Sequence, residues 1–249
     1  LDNTVTDLEV PFQRMTCGPD GKFAAFATTK QVLLFNLETG KVLETRLELA
    51  GESYEDGTFI PPTLSFSPDA KLLLAQRGKF IQVWNTESWK PAFATMEHEK
   101  HVNHATFDAE GARILTCSDD GRVRILNSRT GRLSTAALDH EGPVAWADFD
   151  AGGRRVVSFS SFNSRRIRRA TLHSWDLATA VPTSRELRHH RTIRTTRYHP
   201  DGKTVLTAEL LEDEFDISDG STRSSQVVSV EETESSPKLP PIDWQEALL

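Results

Sequence analysis

Five segments of this 249-residue chain copy one another, and self-similarity at a fixed period constrains a fold more than any single motif does. They are CGPDGKFAAF (17–26), FSPDAKLLLA (66–75), FDAEGARILT (107–116), FDAGGRRVVS (149–158) and YHPDGKTVLT (198–207). Most open on an aromatic, make a short turn ending in Gly, and run into an apolar stretch. The turn-ending positions Gly21, Ala70, Gly111, Gly153 and Gly202 stand 49, 41, 42 and 49 residues apart. Pro-Asp-Gly combines a preset φ, a side-chain acceptor and a permissive glycine, so each copy predicts strand, turn, strand. A period of ~40–45 residues suits a four-stranded unit.

Two further elements recur in step with the first. VLLFNLETG (32–40), IQVWNTES (81–88), VRILNSRTG (123–131) and LHSWDLAT (172–179) each read as a period-two strand closed by turn residues. MEHEKHVNHATF (96–107), LDHEGPVAWADF (138–149) and LRHHRTIRTTRY (187–198) place a His nine residues before the aromatic and Val or Ile four residues after that His. Three elements in one order resemble the repeats of the WD-repeat β-propeller family, over residues 11 to about 235.

The resemblance implies an all-β fold, a β-propeller of four-stranded antiparallel blades with about five visible. It leaves open a small closed ring or part of a larger propeller, and the absent initiator Met favours the larger one. Residues 1–235 are expected to form the propeller and 236–249, within SSPKLPPIDWQEALL (235–249), a Pro-rich linker or peripheral tail. VTDLEV (5–10) reads either as the last strand of a preceding blade or as the strand completing the final one. The fifth repeat near QVVSVEETE is too eroded to align firmly.

In the family, a His, a Ser or Thr, a turn Asp and a strand Trp form a buried hydrogen-bonded network within a blade. Carried to the third repeat these are His98, Ser118, Asp120 and Leu126, and leucine cannot hydrogen-bond. His140 and His189 hold the His position in later repeats, and Trp84 and Trp175 the Trp position. The Trp-Asp pair survives only at Trp175-Asp176; elsewhere it is Phe35-Asn36, Trp84-Asn85 and Leu126-Asn127. Trp84 and Trp175 are expected to pack between blades, while Trp89 and Trp146, off that position, are weaker candidates for a partner surface.

The stretch SDDG (118–121) could be a carboxylate pair for a metal or a tight turn. Its place between the second and third strands of a repeat, with Gly121 supplying a permissive backbone, favours the turn. His98, His101 and His104 with Glu99 look like metal ligands, but residues three apart on a strand point to opposite faces and do not converge. No nucleophile elbow, phosphate-cradling glycine loop, His-Glu-x-x-His or paired CxxC occurs, so neither catalysis nor a cofactor is expected. Cys17 and Cys117 are too far apart in sequence to suggest a zinc pair or disulfide framework.

Insertions and charge single out one face. From Gly111 to Leu126 is 15 residues, but from Gly153 to Trp175 is 22, and the extra length holds SSFNSRRIRRAT. The fifth repeat is longer still there, AELLEDEFDISDGSTRSS, and the first connection, Gly40 to Phe66, spans 26 residues against 18 from Gly131 to Phe149. In the family resembled, second-to-third strand loops and blade connections share one face, so a protein or peptide partner is expected there. Residues 153–198 carry eleven Arg and two acids, whereas 208–220 carry six acids and no base. Arg165, Arg166, Arg168 and Arg169 therefore read in two ways. They form either a loop for an acidic, phosphorylated or nucleic-acid ligand, or the mate of the neighbouring acidic loop, and the second reading is favoured.

A net charge of -7 argues against general nucleic-acid binding. No apolar run reaches the ~18 residues of a membrane helix. No signal peptide opens the chain, and localisation stays open with the cytoplasm favoured. The expected function is a non-catalytic interaction scaffold; the alternatives are an anion or nucleic-acid reader using 165–169, or an accessory domain of a larger enzyme.

Overall fold

The computed structural model describes residues 14–28, 31–50, 62–163, 168–179, 181–187, 193–198, 204–210, 214–216, 221–223 and 226–232. Every element among them is a β-strand, and all pairings are antiparallel between strands close in sequence. The first blade is β1 (Arg14–Cys17), β2 (Phe23–Ala27), β3 (Gln31–Asn36) and β4 (Lys41–Glu48). The second is β5 (Thr63–Phe66), β6 (Leu72–Arg77), β7 (Phe80–Asn85) and β8 (Met96–Glu97). The third is β9 (Val102–Phe107), β10 (Arg113–Ser118), β11 (Arg122–Asn127) and β12 (Leu138–Asp139). The fourth is β13 (Val144–Phe149), β14 (Arg155–Asn163), β15 (Arg168–Asp176) and β16 (Val181–Leu187). Each of these four sheets follows its chain order, so each repeat read in the sequence is one meander.

The fifth sheet consists of β17 (Ile193–Tyr198), β18 (Thr204–Leu210) and β21 (Gln226–Glu232), with a separate hairpin of β19 (Glu214–Asp216) and β20 (Ser221–Arg223) between β18 and β21. QVVSVEE, which sequence alone could not align, is thus the third strand, paired with β18 from Thr204↔Glu232 to Leu210↔Gln226. The chain divides into two compact units, residues 1–137 and 138–249.

The first-to-second strand turns explain the repeat. At each, a backbone N–H bonds back three residues, Gly21 to Gly18, Ala70 to Ser67, Gly111 to Asp108 and Gly153 to Asp150. All four residues have φ between 58° and 70°, the left-handed region that glycine enters without steric cost. Ala70 adopts it at φ 58° and bears the Cβ penalty.

The strands that follow alternate into two apolar layers of the first unit. One packs Ala25, Val32, Leu34 and Leu47 of the first blade against Phe66, Leu73, Ala75 and Trp84 of the second. The other packs Leu72, Leu74, Ile81 and Val83 of the second against Val102, Phe107, Ile114 and Leu126 of the third. Burying such side chains contributes about 1.5–3 kcal/mol each, so the layers between sheets, more than any one sheet, stabilise the unit. Polar pins reinforce them: Gln76 Nε2 donates to the Val102 carbonyl at 2.6 Å, and the Ala50 N–H donates to Gln82 Oε1 at 2.6 Å.

Candidate functional site

The far turn of each of the four described four-stranded blades is closed in the same way, which fixes one rim of the scaffold. Asn36 Oδ1 accepts from the N–H groups of Glu38 and Thr39, Asn85 Oδ1 from Glu87 and Ser88, and Asn127 Oδ1 from Arg129 and Thr130. Asp176 Oδ1 does the same for Ala178 and Thr179. Asn and Asp offer the same short acceptor oxygen, so loss of the Asp in three repeats leaves the turn intact. The next residue in this turn is left-handed: Gly40, Gly131 and, in the second blade, Trp89 at φ 53°. Trp89 is held there by an edge-on contact with Phe23 at 5.2 Å. Trp146 is buried against Val157 and Leu172. Trp146 therefore serves packing, contrary to the partner role considered for it from sequence, whereas Trp89 packs on Phe23 and is half-buried.

Inside the fourth blade a hydroxyl joins two rings. His140 Nδ1 lies 3.0 Å from the Leu138 carbonyl, which can only accept, so Nδ1 carries the proton. Its Nε2 then accepts from the Ser158 hydroxyl at 2.6 Å, and Ser158 Oγ accepts from Trp175 Nε1–H at 2.8 Å. His173 packs edge-on to His140 at 4.8 Å and stacks on Trp175 at 5.7 Å. Burial holds His173 below the usual imidazole range, only partly offset by the Glu141 charge.

The third blade corrects one sequence assignment. His98 Nε2 meets Thr116 Oγ1 at 2.9 Å, whereas Ser118 Oγ donates to the Lys100 carbonyl at 3.3 Å and accepts from the Asp120 N–H at 3.1 Å. Residues 116 and 118 share a strand face by alternation, and a register shift between Cys117 and Ser118 turns Ser118 into the turn. Leu126, as expected, adds no bond and packs in the apolar layer. Burial, then the Arg124 charge, pushes His98 down to about 4. His189 lies outside the described residues.

SDDG is a turn. Gly121 has φ 82°, its N–H bonds to the Ser118 carbonyl, and Asp120 Oδ1 accepts from the Arg122 N–H at 3.0 Å. The second carboxylate oxygen of Asp120 faces Arg124 Nη1 at 2.8 Å, which matches the buried positive charge. This turn stands beside the connection entering the blade, because the Asp119 N–H bonds to the His101 carbonyl at 2.9 Å and Asn103 Nδ2 donates to Asp119 Oδ1 at 2.7 Å. The second blade adjoins it: the His98 N–H bonds to the Lys79 carbonyl and the Val102 N–H to the Gly78 carbonyl. Around this fixed backbone Glu99, Lys100 and Asn103 are exposed, with Arg122 Nη1 on Glu99 at 2.7 Å. The second-to-third strand turn and the blade connection thus form one surface.

In the fourth blade the insertion is partly strand. β14 and β15 pair as far as Phe162↔Arg169 and Asn163↔Arg168, so Arg168 and Arg169 stand on a lengthened ladder, not in a free loop. Arg165 and Arg166 lie outside the described residues. Cys117 is fully buried and Cys17 exposed, and neither forms a disulfide.

Successive four-stranded antiparallel meanders with matching turns define an all-β repeat protein of β-propeller class. A family model described as WD domain, G-beta repeat, matches residues 89–127. Apoptotic protease-activating factor 1 of Homo sapiens is 25% identical over 125 residues, 50% of this chain and 10% of that protein. The crystal structure of the C-terminal WD40 domain of Sif2 shares the fold with a TM-score of 0.60 at 18% identity, over 80% of this chain and 52% of that one. The family-model match, the 25% identity and the shared fold together support a WD-repeat family, whose domains generally act as protein-interaction scaffolds and are typically non-catalytic. It spans a tenth of the length of the curated relative and about half that of the solved domain.

Proposed function

We propose that the chain is an interaction scaffold that binds a protein or peptide partner through the face bearing the second-to-third strand turns and the blade connections. The observation that carries this reading is the surface at residues 98–101 and 118–121, where exposed charged side chains stand on a backbone tied by the Asp119 to His101 and Ser118 to Lys100 hydrogen bonds. A rigid platform holding polar side chains in place reduces the ordering cost of association. The likeness to a tenth of a longer relative supports a role as one module of a larger protein.

The test is affinity capture with two charge-swapped variants. Glu99→Lys with Lys100→Glu reverses the local pattern at constant net charge. Glu38→Lys with Arg129→Glu does the same at exposed turns of the other rim. Saturable partners are expected to survive the second swap and be lost with the first; partners lost only with the second swap would move the site to the other rim.

A second reading, anion recognition through Arg165, Arg166, Arg168 and Arg169, is favoured by the continuation of the β14–β15 ladder to Arg168, since a ribbon holds its side chains in register better than a loop. Binding of a phosphopeptide that weakens steeply with salt and is lost on Arg→Ala changes supports it; salt-insensitive binding refutes it.

A further inference from the structure

The arginines of the fourth repeat and the acids of the fifth both fall where the second strand of a sheet gives way to the third. β15 begins with Arg168 and Arg169, paired with Asn163 and Phe162 at the last registers of β14. β16 leaves the sheet at the same end, where Leu187 pairs with Ala170 and Arg185 with Leu172. Only residues 188–192 separate it from β17, a covalent reach of at most ~20 Å. Arg194 lies in the opening registers of β17, next to the Ile193↔Glu209 pair near the end of β18. Past Leu210 the chain enters the insertion that contains β19, with Glu214 and Asp216. β13, the first strand of the fourth sheet, neighbours β17, the first of the fifth.

We propose that the arginine-bearing end of the fourth sheet docks an acidic polypeptide segment, and that the acidic β19–β20 hairpin is its intramolecular competitor. This rests on the scaffold reading above and names the chemistry of the partner. Four arginines on described strands, Arg168, Arg169, Arg185 and Arg194, stand against Glu186 and Glu209 at this end. Guanidinium forks match carboxylates in bidentate fashion, so the sheet end suits an acidic chain. The hairpin shows what form such a chain takes: Glu214 and Asp216 are two apart on one strand, hence on one face about 7 Å apart. An extended segment with acids at alternate positions is the ligand this arginine-bearing end fits. A net charge of -7 opposes a nucleic acid of much higher charge density.

The experiment titrates the full chain into a fluorescein-labelled peptide of alternating Glu and Thr, followed by anisotropy at low salt. Glu214→Gln with Asp216→Asn is expected to tighten binding about tenfold by removing the competitor. Adding Arg168→Ala and Arg169→Ala to that variant should return binding to the wild-type level or below, while circular dichroism confirms the folded state. Unchanged affinity in the hairpin variant overturns the competitor. A gain that survives loss of the arginines assigns the effect to net charge and overturns the site. Tighter binding of a short single-stranded RNA than of the peptide overturns the acidic-polypeptide assignment. Capture through the third blade that ignores these four substitutions leaves the general scaffold reading standing while this proposal fails.

Discussion

Replacing Ser158 by Ala should unfold the fourth blade more easily than any other single-hydroxyl change among the described residues. Ser158 is fully buried and its one oxygen serves two rings, donating to His140 Nε2 at 2.6 Å and accepting from Trp175 Nε1–H at 2.8 Å. Alanine takes the acceptor from a buried indole N–H and the donor from the His140 imidazole, and an orphaned buried group costs about 1–3 kcal/mol. The imidazole is only half-buried and adds less than the indole, so the pair gives about 2–5 kcal/mol, a large part of the stability of an ordinary domain. Thr116→Val in the third blade provides the internal comparison. It removes one partner, since Thr116 meets His98 and Leu126 has no polar atom, so about 1–3 kcal/mol is expected. Urea titration followed by tryptophan fluorescence measures both, and Ser158→Thr should restore most of the loss. A Ser158→Ala variant within ~0.5 kcal/mol of wild type, or less destabilised than Thr116→Val, would refute the argument that the shared hydroxyl is the hub.

Acid should weaken the fold through His98. The unfolded chain takes up its proton near the ordinary value of 6.5 while the folded chain resists until about 4, so stability is complete above 6.5, falls between 6.5 and 4, and falls no further from this group below 4. The window corresponds to about 3 kcal/mol, and His98→Gln should remove it from the measured pH dependence of urea midpoints. Ala70→Gly should stabilise by about 0.5–1 kcal/mol in the same assay, because φ 58° strains a residue with a Cβ. Gly131→Ala should destabilise by about 2 kcal/mol or more, since it combines φ 67° with a Cβ 2.5 Å from the Phe93 ring.

The repeat was legible because its marks are local: the left-handed turns at Gly21, Gly111 and Gly153 and the Asx-type turns at Asn36, Asn85 and Asn127 require particular residues whatever surrounds them. What depends on register was not. Thr116 and Ser118 are equivalent by alternation, and only the shift between Cys117 and Ser118 decides which hydroxyl reaches His98. Trp89 read as a spare aromatic because nothing local announces a tryptophan at φ 53°; its contact with Phe23 is made across 66 residues of sequence. The Arg-rich insertion was legible as extra length, but whether that length becomes loop or strand depends on pairing such as Asn163↔Arg168. The partner-bearing surface was legible only as a face. The residues composing it, Glu99, Lys100 and Asp119, are joined by hydrogen bonds between segments some twenty positions apart.

Amide hydrogen exchange on the chain, free and saturated with its captured partner, tests the central claim most directly. Binding through the loop-bearing face predicts slowed exchange in residues 98–104 and 118–122, with the turns at 36–40 and 127–131 unchanged. Protection confined to those far turns, with none at 98–104 or 118–122, would contradict it.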